Sequence, residues 1–465
     1  MATPFSERCP CAAGRHMQVH RRFEFVCRAG RAPIYNGRDV SLRKEGKMNR
    51  RRFLLQTLAG AGSLSFPYVA APTVLGANDR IRIGFIGLGG RARWMIQNEE
   101  YPGAEIVAVA DCWLPRCHEA ARLKPEGEKW SKYHDYRKMF DQEKLDAVFV
   151  ETTTHARVLA CIHALQAGLD VYAEKPLTLT VQEGRVLVDA VRRYKRVLQT
   201  GTQQRSMPIN IQASRLVREG AIGNVHTVIV CNFEGPQGWY PRPEQKLPEG
   251  LNWDQWCNQT ELRPYHALLQ RRWAWWWDYD GGGQSWGVSG WGAHALDQVQ
   301  CALGTDDTGP VEIWPESGQP DAKVTMRYAS GTLVKLEEPK KEGHSQLGAV
   351  FAGGKGRIQI LRGDFIADPP ELKRDAPDVL PEGPGENRYH IQNFLECVRT
   401  RRRPTADVEI GHRSNSVCHL VNICRDVGRK LQWDPKAERF IDDDQANSLL
   451  SRPRRKGYEL PEISK

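Results

Sequence analysis

From Asp79 the chain alternates short apolar runs with longer amphipathic stretches. RIRIGFIGLGG predicts a strand over 81–87 that leads into a helix near Ala92–Asn98. AEIVAVAD predicts the second strand, and LDAVFVETTT a later one closing at Glu151. A helix follows over His155–Ala167, then a short strand ending in Asp170–Ala173, another helix, and a last strand in VLQTGT. Short apolar runs spaced by helices predict a parallel, doubly wound α/β sheet.

Beyond about residue 205 the pattern changes. A helix over Ile209–Glu219 precedes VHTVIVCNF, a long Trp/Gly/Pro-rich stretch to about 290, and a helix over His294–Leu303. AKVTMRY, TLVKLEE, LGAVFAG and GRIQILR then follow one another with no helix between, which predicts a mostly antiparallel sheet. A Pro/Gly/Asp loop at 368–386 leads to helices at 388–401 and 410–428. The expected organisation is an extension with a signal over 1–79, a nucleotide-type α/β domain over 80–204, and an α+β domain over 205–465.

Charge alters this picture at the N-terminus. The formal charge is +10, but residues 1–77 hold 13 Lys+Arg against 4 Asp+Glu and so carry +9 of it. The nearly neutral remainder argues against a nucleic-acid partner. NRRRFLLQTLAGAGSLSF sets Arg50, Arg51 and Arg52 before an Ala/Gly-rich apolar stretch, with small-residue sites near Ala71 and Ala77. That is the twin-arginine pattern, an address read by the export machinery. The run is too short and Gly-rich to span a membrane. The expectation is a periplasmic protein without a membrane anchor, with residues 1–47, ahead of Met48, disordered. Of 12 cysteines none forms C-x-x-C, so no metal site is expected. Cys161, Cys301 and Cys418 lie in apolar runs and read as buried thiols.

Gly87-Leu88-Gly89-Gly90-Arg91-Ala92 is G-x-G-x-x-A directly after the first strand. The first glycine makes the turn, the second admits a pyrophosphate to the backbone, and the small third residue lets helix pack on strand. The pyrophosphate would rest on the helix N-terminus. Asp111 ends the second strand, 22 residues after Gly89, where a carboxylate accepts hydrogen bonds from ribose hydroxyls. It favours NAD by repelling a 2′-phosphate, although Arg91 or Arg116 could accommodate NADP. Thr152, Thr153 and His155 follow the next strand at its C-terminal edge, where the nicotinamide ribose should lie. Gln203 and Arg205 leave the last strand toward the same crevice.

Glu174-Lys175-Pro176 closes a strand that Pro176 ends, since proline offers no N–H to a ladder. The next helix starts with a capping box at Thr180 and Glu183, so Lys175 sits on a strand-to-helix loop. With QTGTQQRS, WWWDYDGGG, WGAHALD and HIQNFLECVRTRRRPTADVEIGHRS, this motif resembles the glucose-fructose oxidoreductase/inositol dehydrogenase (Gfo/Idh/MocA) family from about Arg80 to the C-terminus. With the export signal the chain resembles the exported branch of that family.

The resemblance implies a Rossmann domain followed by a C-terminal α+β domain with an open sheet, and a sugar or polyol oxidoreductase using NAD or NADP. It implies that Lys175 stands beside the nicotinamide, with Glu174 and a cis Pro176 in the cofactor site, and hydrogen-bonds the reacting hydroxyl. A cation there stabilises developing alkoxide charge. His294 would be the acid/base, suited by its near-neutral pKa. A homodimer or homotetramer is also implied.

Many relatives carry Asp four residues before this histidine; here that position is Gly290. Asp297, one helical turn past His294, is the first candidate to orient the imidazole, with Asp278 and Asp280 as others. Six of the 14 tryptophans lie between 273 and 291, beside Tyr279, and are expected to be mostly core or subunit interface with one or two at a substrate site. The expected substrate contacts are Lys175, Arg205, Tyr279, His294 and Asp297. Two other readings stay open: an NAD-dependent glycoside hydrolase or lyase with transient ring oxidation, and a non-catalytic sugar-binding relative.

Overall fold

The structure is a computed structural model that describes residues 80–337 and 347–463. The expected signal, with Arg50 and Arg51, lies outside the described residues.

Strands β1 (Ile81–Ile86), β2 (Ala104–Ala110), β3 (Ser131–Tyr133), β4 (Ala147–Val150), β5 (Asp170–Ala173) and β6 (Leu198–Thr200) form one sheet in the order β3-β2-β1-β4-β5-β6. Its pairings are all parallel. β4 and β5 are buried along their whole length, which is why they read as continuous apolar runs. The strand order reverses between β1 and β4, and the crevice beyond their C-terminal ends is where such sheets bind ligands.

Helices Thr154–Gln166 and Val181–Tyr194 cover one face. The other face takes Gly90–Asn98 and, from far along the chain, Arg388–Thr400. Phe394 of that late helix meets Phe149 and Tyr172 edge-on at 5.6 and 5.8 Å. The C-terminal segment therefore returns to complete the first layer.

The second sheet holds β7 (Val225–Cys231), β8 (Pro310–Pro315), β9 (Val324–Tyr328), β10 (Leu333–Glu337), β11 (Ala349–Gly353), β12 (Gly356–Leu361), β13 (Asp364–Asp368), β14 (Leu431–Asp434) and β15 (Arg439–Phe440). Their order is β13-β12-β11-β7-β10-β9-β8-β14-β15. β7 and β10 run parallel, and the other neighbours are antiparallel. The four expected strands are β9 to β12. The flanking β8 and β13 to β15 carried no clear signal, because prolines bound β8 and the others are short or polar. One face packs on helices Pro208–Arg218, Trp291–Leu303 and Val408–Val427.

The Trp-rich stretch builds a small core of its own, with Leu251, Trp253, Trp256, Tyr265, Trp276 and Tyr279. Trp253 and Trp256 stack at 4.4 Å on one short helix, Trp253–Cys257. This insert is tied to the first domain, where the Trp113 indole donates to the Glu249 carbonyl at 3.0 Å. Cys161 and Cys418 are buried thiols as expected, whereas Cys301 is half-buried.

Candidate active site

The glycine loop follows β1 because its backbone must turn there. Gly87 has φ +84°, and a Cβ on it would lie 2.7 Å from the Thr152 Cα. Gly89 and Gly90 face open space, with no atom within 4 Å of a built Cβ. The helix Gly90–Asn98 starts here without a side-chain cap, so its first N–H groups point into a cavity of about 370 Å³. Asp111, Thr152 and Thr153 line the same cavity, while Gln255, Trp256 and Asn258 close it from the aromatic insert. The uncapped helix end and the glycine cradle fit a dinucleotide.

Asp111 is already committed in part. Its Oδ2 accepts the Leu88 N–H at 2.6 Å and its Oδ1 the Trp113 N–H at 2.8 Å. The carboxylate thus braces the glycine loop, and its remaining lone pairs are what a ribose would meet. Burial pushes its pKa up, against the pull of Arg116.

A second cavity of about 380 Å³ shares Arg91, Glu151, Thr152 and Trp273 with the first. It brings together Glu174, Lys175, Pro176, Gln203 and His294. The Lys175–Pro176 bond is cis. Thr180 Oγ1 accepts the Glu183 N–H at 3.3 Å, and the Glu183 carboxylate accepts the Leu179 N–H at 3.0 Å, one residue before the cap, so Thr180 and Glu183 anchor the loop's far end. Glu174 accepts from Arg91 Nε at 2.8 Å, Gln203 Nε2 at 3.0 Å and Lys175 N at 2.8 Å. Burial pushes this carboxyl up, but Arg91 and Lys175 hold it below the ordinary range. Glu151, whose two oxygens find no protein partner among the described residues, is raised well above that range by burial and by Glu174. The two neighbouring carboxyls are thus pushed in opposite directions, Glu174 toward its charged form and Glu151 toward its neutral one.

Lys175 Nζ donates to the Gly290 carbonyl at 2.9 Å. Burial lowers its pKa to about 8, against the pull of Glu174 and Asp280. His294 sits in the first turn of Trp291–Leu303, a helix that starts three residues earlier than expected. Burial, then the Lys175 charge, keep its imidazole neutral, with a pKa well below 6.5. Its Nδ1 is buried without a protein partner among the described residues. The pair is therefore a cation beside a neutral base.

Gly290 explains the missing carboxylate. A Cβ there would fall 1.8 Å from the Gln284 carbonyl oxygen, so no side chain fits without moving the loop. What this position offers the site is its backbone carbonyl, which accepts from Lys175. Asp280, fully buried, accepts from the Thr154 hydroxyl, and its Oδ1 has no protein partner among the described residues. Burial raises its pKa to about 6, offset by Thr154, Arg157 and Lys175. Asp278 instead pairs with Arg263.

Four expected site residues lie elsewhere. Asp297 is 1% exposed and accepts Arg205 Nε at 2.8 and 2.9 Å and Ser414 Oγ at 2.6 Å, so it neither reaches substrate nor orients His294. The helix is buried on several faces, and one turn along it Asp297 meets Arg205, which is thereby also withdrawn from the cavity. Tyr279 belongs to the aromatic core, its ring 5.5 Å from Trp256. His155 packs edge-on to Tyr279 at 4.8 Å, and its Nε2 lies 2.8 Å from the Trp256 carbonyl, so it holds the insert and leaves the cofactor cavity. Conversely, Arg362 and Glu386, an ion pair at 2.9 Å, form a cavity wall that the sequence did not mark. Both come from loop or strand-end positions with no periodic signal.

The Arg205–Asp297 pair carries a stability prediction. Asp297→Asn removes one of the two carboxylates that Arg205 meets, the other being Asp306 at 2.9 Å, and should destabilise folding by about 2 kcal/mol, the worth of a charged hydrogen bond. Urea unfolding checks this, and an unchanged midpoint would show that the Asp297 charge contributes nothing beyond Asp306.

Two family models match the chain: the oxidoreductase family's NAD-binding Rossmann fold over residues 81–202, and its C-terminal alpha/beta domain over 209–460. The chain belongs to the Gfo/Idh/MocA oxidoreductase family. Its first domain is the family's NAD-binding domain, and the chain is an NAD-dependent oxidoreductase. Within the curated family, scyllo-inositol 2-dehydrogenase (NAD(+)) of Bacillus subtilis is 25% identical over 348 residues, 71% of this chain and 92% of that one. Among solved structures, myo-inositol 2-dehydrogenase from Lactobacillus plantarum superposes with a TM-score of 0.53 at 18% identity, over 76% of this chain and 99% of its own. A levoglucosan dehydrogenase in complex with NADH and L-sorbose gives 0.55 at 16% identity, over 76% and 99%. At these identities the two structures establish the Gfo/Idh/MocA fold alone.

Proposed function

We propose that this oxidoreductase oxidises a secondary hydroxyl of a sugar or polyol. The observation that carries the reading is the meeting of Lys175 and His294 in a cavity that opens, past Arg91 and Thr152, onto the dinucleotide cavity. When bound, the nicotinamide supplies the hydride acceptor. Gly87, Gly89 and Gly90 would cradle its pyrophosphate and Asp111 its ribose. The neutral His294 accepts the substrate's hydroxyl proton, as a base must be deprotonated before it acts. Lys175 Nζ donates to the same oxygen and stabilises the negative charge that grows there. The similarity to a scyllo-inositol 2-dehydrogenase supports a polyhydroxylated substrate.

Absorbance of the purified, NAD-loaded protein mixed with a panel of sugars and polyols tests this reading. At least one should reduce the bound nicotinamide. Glycosidic cleavage without net reduction would instead favour the redox-neutral hydrolase or lyase, and absence of both would favour a binding protein. Export by the twin-arginine machinery, a periplasmic location and a homo-oligomeric state are further proposals that rest on the sequence pattern and the family resemblance. The same holds for the domain limits at 80–204 and 205–465.

A further inference from the structure

Trp286 stands out from the aromatic insert. It is 42% exposed, while Trp276 of the same stretch is buried. Its ring meets Trp291 edge-on at 4.6 Å, and Trp291 lines the cavity that holds Lys175 and His294. An aromatic surface thus runs from the cavity wall to solvent. The backbone beneath it is fixed on both sides. The Trp286 carbonyl accepts the Glu234 N–H at 2.9 Å, Val288 N–H returns to the Glu234 carbonyl at 2.9 Å, and Trp291 N–H reaches Ser285 at 3.1 Å. A rigid indole loses little freedom on binding, which makes it an efficient platform.

The cavity's charges narrow the ligand. Arg91 is tied to Glu174, Arg362 to Glu386, and the Arg157 guanidinium to the Thr152 and Pro176 carbonyls. With Lys175 the lining sets four cations against the carboxyl groups of Glu151, Glu174, Glu382 and Glu386, so the wall is close to charge balance and suits uncharged, hydrogen-bonding groups over a carboxylate or phosphate. A pyranose ring in the cavity, carried on by a glycosidic link, would place its next ring toward the Trp286 face. The apolar C–H face of a sugar suits an indole there, and its hydroxyls remain in water.

We infer that Trp286 and Trp291 form a second sugar subsite, and that the substrate is a neutral saccharide of at least two rings. The inference rests on the sugar reading above and specifies it.

The test uses the NAD-loaded full chain with glucose, galactose, cellobiose, maltose and lactose. Calorimetric affinity and reduction of bound nicotinamide are measured for wild type, Trp286→Ala and Trp286→Phe. In wild type at least one disaccharide should bind about 10-fold more tightly than its component monosaccharides, as a ring-stacking contact provides. Trp286→Ala should remove that advantage and Trp286→Phe keep most of it, with monosaccharide affinity unchanged. If the disaccharide advantage is lost in Trp286→Ala while no sugar reduces the nicotinamide, the subsite stands and the oxidoreductase assignment to sugars falls. Equal affinities for one and two rings, no disaccharide binding, or an unaltered advantage in Trp286→Ala overturn the subsite. So does a change of sedimentation in Trp286→Ala with saccharide affinity unchanged, which would make this face a subunit contact.

Discussion

His294→Ala is expected to lower the oxidation rate by ~10²–10⁴-fold, the contribution of a positioned base. NAD affinity should change little, because His294 lines the second cavity and does not line the one built by the glycine loop. The pH profile carries a further signature. A histidine acts as base in its neutral form, above its pKa, and burial beside Lys175 keeps that pKa well below 6.5. The acid limb of the wild-type rate should therefore lie below pH 6.5 and vanish in His294→Ala. Single-turnover reduction of bound nicotinamide separates this step from product release. Near-native rates in His294→Ala would leave the histidine a structural role alone.

Lys175→Ala should produce a loss of similar size, ~10²–10⁴-fold, by removing the cation that faces the developing alkoxide. Here the sign with pH is opposite. The lysine works in its charged form, present below its pKa of about 8 and lost as pH rises through that value. Wild-type oxidation should thus hold a plateau that ends on an alkaline limb near pH 8. In Lys175→Arg the limb should disappear even if the rate is reduced, since guanidinium stays protonated across this range. A wild-type rate that keeps rising through pH 9 would contradict the role of Lys175 as a cation and point to the neutral amine.

What could be read directly were features in which a few adjacent residues both make and reveal the structure. Gly87 is glycine because its φ is +84° and Thr152 lies against it, and those needs recur wherever a dinucleotide meets such a loop. The loop position of Lys175 was legible because the Asp170–Ala173 strand ends just before it and Pro176 and the Thr180 cap follow within five residues. The parallel sheet was legible because strands buried on both faces have no polar alternation. The four central antiparallel strands were legible too, but not the proline-bounded or short strands that depend on distant partners, such as β14 on β8.

The side-chain partnerships across the chain were not legible. Helical spacing put Asp297 near His294, yet Arg205, 92 residues earlier, claims it at 2.8 Å. Tyr279 and His155 have polar groups that suit a site, and packing on Trp256 turned both into supports of the insert. Gly290 looked like a lost carboxylate; the Gln284 carbonyl, 1.8 Å from where a Cβ would sit, shows a position where none fits. The fold class and the glycine cradle could be read from the chain alone, because hydrophobic periodicity and local backbone geometry encode them, while Lys175 and His294 were marked for the chemistry by the resemblance of their motifs to the Gfo/Idh/MocA family. Which carboxylates pair with which cations, which tryptophan faces solvent and what closes the cavities were set by the folded chain. Those outcomes depend on the burial and electrostatics of groups brought together from distant parts of the chain, and no local pattern records them.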